Sequence, residues 1–144
     1  EGHFFNNSNH FYYSIFNQSN KTKHEWLNFF FYKGNALCHP SVMIRKECYD
    51  NCGLYRYGLA QIGDFDMWIR ICMKYEIYVL PEKLTKFRVR DNEANASGNT
   101  STTRIRTTTE YLYIIKKFSE LQWNDFIRVF PNEQKYRSCK NQGS

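Results

Sequence analysis

Between Asp64 and Tyr75 large apolar residues recur at helical spacing, with Phe65, Trp68, Ile69, Cys72 and Tyr75 falling on one side. The pattern predicts an amphipathic helix of about three turns, with Asp66, Arg70 and Lys74 on its polar face. Such a stripe must be covered, so the rest of the chain has to fold around it. The 144 residues are 42% hydrophobic and 18% aromatic, enough to build one core. Gly 7 and Pro 3 are too few for a collagen-like or low-complexity chain. No apolar run approaches the roughly 20 residues of a membrane helix, and the N-terminus lacks a signal-peptide layout, so a soluble piece is expected.

Other segments are shorter and less regular. Residues 1–23 mix Asn and Ser with aromatics in neither helical nor strand period, and read as an irregular lead. From Glu25, EWLNFFFYKGN predicts a helix closed by Gly34 or Asn35, and SVMIRK at Ser41 to Lys46 predicts a buried strand. KECYDN at Lys46 to Asn51 reads as a short helix stopped by Gly53. IYVLPEKLTKFRVR predicts two extended pieces bent at Pro81, followed by a small polar loop, DNEANASGNTSTT. Arg106–Phe118 and Leu121–Phe130 read as terminal helices, the first entered through threonines that can cap it. The expected fold class is therefore α+β, with a short mixed sheet and several packed helices.

Lys+Arg 20 against Asp+Glu 14 gives a formal net charge of +6, which favours an anionic partner without selecting one. Five cysteines, Cys38, Cys48, Cys52, Cys72 and Cys139, are odd in number and lack CxxC spacing, as in a reducing cytosol. Cys48 and Cys52 with Cys38 and His39 fit no zinc class well, and buried free thiols are the simpler reading. Sequons at Asn6, Asn20, Asn95 and Asn99 are compositional accidents in such a chain.

In order along the chain stand CHPSVMIRK, YDNCGLYR and GDFDMWIRICMKYEIYVLPEKLTKFRVR. This order resembles the second half of family 2 glycosyltransferases of the GT-A fold, in which a strand ending in Arg-Lys or Arg-Arg precedes a Gly-aromatic turn. Glu-Asp-x-Asp-Leu-Trp-x-Arg then lies on a helix before a strand ending in aromatic-Arg. The resemblance covers Asn35 to Ser97. It implies a partial GT-A domain, with 24–120 as the acceptor-side half and 121–144 as a C-terminal helix and tail.

The family transfers a sugar from a nucleotide diphosphate donor to an acceptor hydroxyl with inversion. That displacement needs one carboxylate to take the acceptor proton. The resemblance makes Asp64 the general base and Asp66 a secondary candidate, while an Asp at this position also serves as an ordinary helix cap. Gly63 stands where the family has Glu. Where many relatives carry a His near the diphosphate, this chain has Arg88 and Arg90, which suit a bidentate phosphate contact or a solvated strand end. Arg70 of the Trp-x-Arg joins the substrate-binding candidates. His39 either lines the acceptor pocket or is a hydrogen-bonded structural imidazole.

No upstream strand-helix alternation and no second Asp-x-Asp occur here. The resemblance therefore implies that the nucleotide-binding half, and most ligands of the Mg or Mn ion, lie outside this chain, which alone is expected to be inactive. Its implied partners are a nucleotide-sugar donor and a glycan or lipid-linked acceptor in surface polysaccharide or glycolipid synthesis. Cytoplasmic localisation is expected, peripheral to the inner membrane face if Arg104, Arg106, Lys116 and Lys117 meet anionic lipid. A homodimer is a further expectation from exposed sheet edge. The rivals are a non-enzymatic basic and aromatic module for single-stranded nucleic acid, which no ribonucleoprotein or KH sequence supports, and an inactive remnant that assembles with a partner.

Overall fold

The computed structural model describes residues 11–87 and 100–132. Its elements in order are α1 (Phe11–Phe16), α2 (Lys23–Lys33), a 3-10 turn (His39–Ser41), α3 (Lys46–Cys52), α4 (Gly63–Cys72), α5 (Ser101–Ile115), a second 3-10 turn (Lys116–Glu120) and α6 (Trp123–Val129).

The start of α2 follows directly from its sequence. Thr22 and Glu25 form a capping box: the Thr22 hydroxyl accepts from Glu25 N–H at 3.3 Å and the Glu25 carboxylate accepts from Thr22 N–H at 2.8 Å. Glu76 accepts from Lys23 N–H at 2.6 Å, placing a second anion at the same positive helix end. Gly34 ends α2 at φ 84°, a left-handed conformation that glycine adopts without strain. Trp26, Leu27 and Phe30 point inward from α2.

At the centre lies α4, in which all eight residues from Phe65 to Cys72 are buried. Of the polar face expected of it, Asp66 and Arg70 are therefore not in water, whereas Lys74, beyond the end of the helix, is exposed. Asp66 is fully buried and accepts from Arg70 Nε at 2.7 Å, one helical turn on. The Arg70 guanidinium also donates to the carbonyls of Cys52, Gly53 at 3.2 Å and Leu54 at 3.1 Å, where the C-terminal end of α3 leaves carbonyls without intrahelical partners. The pair thus ties α3 to α4.

Capping its own start with Thr100 and Thr103, α5 begins five residues before the expected Arg106. Tyr111 stacks on Phe65 with centroids 6.0 Å apart and donates its hydroxyl to Phe31 O at 2.9 Å, at the end of α2. Two side chains of α2 hold α6, through His24 to Asp125 at 2.8 Å and through Asn28 Nδ2 to Val129 O at 2.7 Å. Edge-on and tilted contacts among Phe31, Phe118, Phe126 and Phe130 fill the space between them.

Two expectations are corrected. No strand or sheet occurs among the described residues, so the α+β class and the mixed sheet of a partial GT-A domain give way to a helical fold. Val42 is extended at φ −93° and ψ 135°, and partly buried Val42 and Ile44 alternate with exposed Met43 and Arg45, but no neighbouring strand meets their backbone among the described residues. No strand meets Ile77 and Val79 among the described residues either, and the side-chain amide of Asn20 bonds both backbone groups of Val79, at 2.8 and 2.6 Å. Local alternation prescribes the extended form; pairing needs a partner from elsewhere in the chain.

The second correction is α1, inside the lead read as irregular. Its Tyr12 and Phe16 stack one turn apart at 5.3 Å, and Phe87 meets both edge-on. Long-range aromatic contact thus helps support a helix whose period is masked by Asn and Ser.

Candidate functional site

The entrance to α4 has no side-chain cap of its own, since its N-cap is Ile62. Glu110 of α5 replaces one. This buried carboxylate accepts from the backbone N–H groups of Ala60 at 3.0 Å, Gln61 at 3.0 and 3.2 Å, and Ile62 at 2.8 Å. It sits at the positive end of the helix dipole and fixes the loop that delivers Asp64.

Asp64 is half-buried, with both oxygens engaged. Oδ1 accepts from Phe65 N–H at 2.8 Å, and Oδ2 accepts from Asn35 Nδ2 at 3.1 Å. Asn35 is itself aimed by its Oδ1, which accepts from Leu37 N–H at 3.1 Å. The carboxylate is therefore oriented by two donors, and each oxygen retains lone-pair capacity for a further proton.

Beside it lie Cys38, His39 and Tyr55. The Tyr55 hydroxyl is 3.2 Å from His39 Nε2, and the His39 ring meets Trp68 of α4 edge-on at 5.9 Å. Burial, a hydrogen bond with Tyr49 and the nearby Asp64 charge push Tyr55 up to about 12, so its phenol stays protonated at neutral pH. Burial above all, with the Asp64 charge adding, also raises the Cys38 thiol, which is thus a poor nucleophile.

Among the sequence candidates, Asp64 and His39 both lie near Tyr55, His39 through a hydrogen bond and Asp64 through its charge. Asp66 and Arg70 lie in the core, bonded to one another, with Arg56 Nε a further 3.6 Å from Asp66 Oδ2. Arg88 and Arg90 lie outside the described residues. Asn35, Tyr55 and Glu110 were not visible as site residues: Asn35 reads as a helix stop, Tyr55 is one aromatic among many, and Glu110 acts across 48 to 50 residues.

Among the described residues no three His, Cys, Asp or Glu side chains gather as metal ligands. Asp64 alone does not supply the several oxygen donors that a divalent ion prefers. Comparison with known proteins gives no match: no protein-family model, no curated protein and no solved structure corresponds to the chain. No helix among the described residues is long and apolar enough to cross a membrane.

Proposed function

We propose that this chain carries the acceptor-side base of an inverting glycosyl transfer from a nucleotide-diphosphate sugar to an acceptor hydroxyl. The observation that supports this reading is the contrast between two carboxylates two residues apart. Asp66 is sealed against Arg70, whereas Asp64 is half-buried, oriented by Asn35 and its own helix, and near Tyr55, whose hydroxyl meets the His39 imidazole. A general base needs this combination of fixed orientation and access.

In the proposed reaction Asp64 takes the acceptor hydroxyl proton while the acceptor oxygen bonds to the anomeric carbon. The bond from that carbon to the diphosphate breaks as the new one forms, and the diphosphate leaves with the electron pair. His39 and Tyr55 present groups that hydrogen-bond a polar acceptor beside the base.

The test is Asp64→Asn in the polypeptide as its gene encodes it, assayed with labelled nucleotide sugars. Asparagine still accepts from Phe65 N–H but no longer from Asn35 Nδ2, so the melting temperature should fall only slightly, while turnover falls by about two to four orders of magnitude. Turnover within a few-fold of the parent would remove Asp64 from the chemistry and leave it as an acidic residue of the first turn of α4.

A further inference from the structure

Along α5, Ile105 and Leu112 stand seven residues apart on the outward side, 70% and 61% exposed. Exposed Lys116 continues their line at the start of the following 3-10 turn. Between them Thr108 and Thr109 donate their hydroxyls to the carbonyls of Arg104 and Ile105, each at 3.0 Å. With those donors already satisfied, this stretch costs less to take out of water than four free threonine and backbone groups would.

Arg104 and Arg106 flank Ile105 in sequence and therefore project about 100° to either side of it, both exposed. Tyr113, half exposed, adds an aromatic edge, and its hydroxyl accepts from Arg56 Nη1 at 3.0 Å. The single acid of α5, Glu110, is turned away and buried against residues 60–62. The exposed face of α5 thus carries two aliphatic side chains and two threonines along its centre, an arginine on each margin and no anion.

We infer that this face of α5 docks in the plane of an anionic lipid surface. A helix lying at the headgroup boundary needs an apolar line with basic margins, whose long stems let the charges reach the phosphates. Two aliphatic side chains and a tyrosine bury too little area to hold the chain on neutral lipid, so attachment depends on the cations, and the formal net charge of +6 adds to it. A protein groove accepting the same helix would gain nothing from arginines on opposite margins unless both its lips were acidic. The inference is independent of glycosyl transfer.

Co-sedimentation with vesicles tests it. The chain should pellet with phosphatidylcholine and phosphatidylserine mixed at about two to one, not with phosphatidylcholine alone, and should be released by salt. Arg104→Glu with Arg106→Glu should weaken binding at least about tenfold, each lost cation being worth about fivefold. Ile105→Ser with Leu112→Ser should abolish it with the circular dichroism spectrum unchanged, while Arg45→Glu, outside α5, should leave it intact. Failure to pellet with anionic vesicles overturns the assignment. So does an Arg45→Glu effect as large as that of the α5 variants, since diffuse positive charge would then explain the binding.

Discussion

Arg70 is the residue on which the core polar network turns. It is 8% exposed and donates at once to Oδ2 of the fully buried Asp66 carboxylate and to three backbone carbonyls, while Asp66 Oδ1 has no hydrogen-bond partner among the described residues. Arg70→Ala would leave Asp66 with only Arg56 Nε, 3.6 Å away, and those carbonyls dry, and should cost about 3–5 kcal/mol in urea unfolding. Replacing the pair, Asp66→Leu with Arg70→Met, should recover much of that loss, because well-packed apolar side chains avoid the desolvation of both ions. A double variant no more stable than Arg70→Ala would mean that the carbonyl contacts, not the charge pair, carry the effect. The sequence supplied the i, i+4 spacing of Asp66 and Arg70 but not their direction. That spacing is shared by solvated helix faces and by buried pairs, and only the partner carbonyls from α3 distinguish them.

At the level of elements, α4 is legible because its apolar period is strong, while the device that holds its entrance is not. Glu110→Ala would strip three successive backbone N–H groups of their acceptor and should cost about 1.5–3 kcal/mol, read as a lowered urea midpoint. Glu110→Gln, which retains an oxygen but loses the charge, should fall between. Equal stability of all three forms would show that water satisfies the loop as well as Glu110 does. The helices α2 and α3 were also readable from their glycine stops, Gly34 at φ 84° and Gly53 at φ 79°. Their helical ends depend on neighbours in sequence, whereas the cap on α4 comes from a helix on the far side of a long connection. The start of α5 was read too late because Ser101 to Arg106 lacks an apolar stripe facing the core, although Thr100 and Thr103 supply the cap.

For the molecule as a whole, the segments that alternate like strands remain extended and lack strand neighbours among the described residues. Met43 is 98% exposed, and Tyr78, Leu80 and Leu84 are 73%, 55% and 74% exposed around the second segment. Exposed apolar side chains beside backbone that no strand covers among the described residues invite edge-to-edge pairing. The weight-average mass by light scattering should therefore rise between micromolar and millimolar protein, and Met43→Lys should reduce the rise. A strict monomer mass over that range would mean that these edges are closed to self-pairing. The sheet was over-read for the same reason: alternation reports which face is covered, while the identity of the covering layer is a property of distant residues.

Trp26 and Trp68 both lie within the core, 0% and 1% exposed, and neither indole N–H finds a hydrogen-bond partner among the described residues. Trp123, by contrast, is 40% exposed at the start of α6. An indole held dry and unbonded emits at shorter wavelength than one in contact with water, so the native chain carries two blue emitters in α2 and α4 beside a redder one in α6. Loosening of α6 and collapse of the α2–α4 core would consequently be separable by colour in a single unlabelled sample.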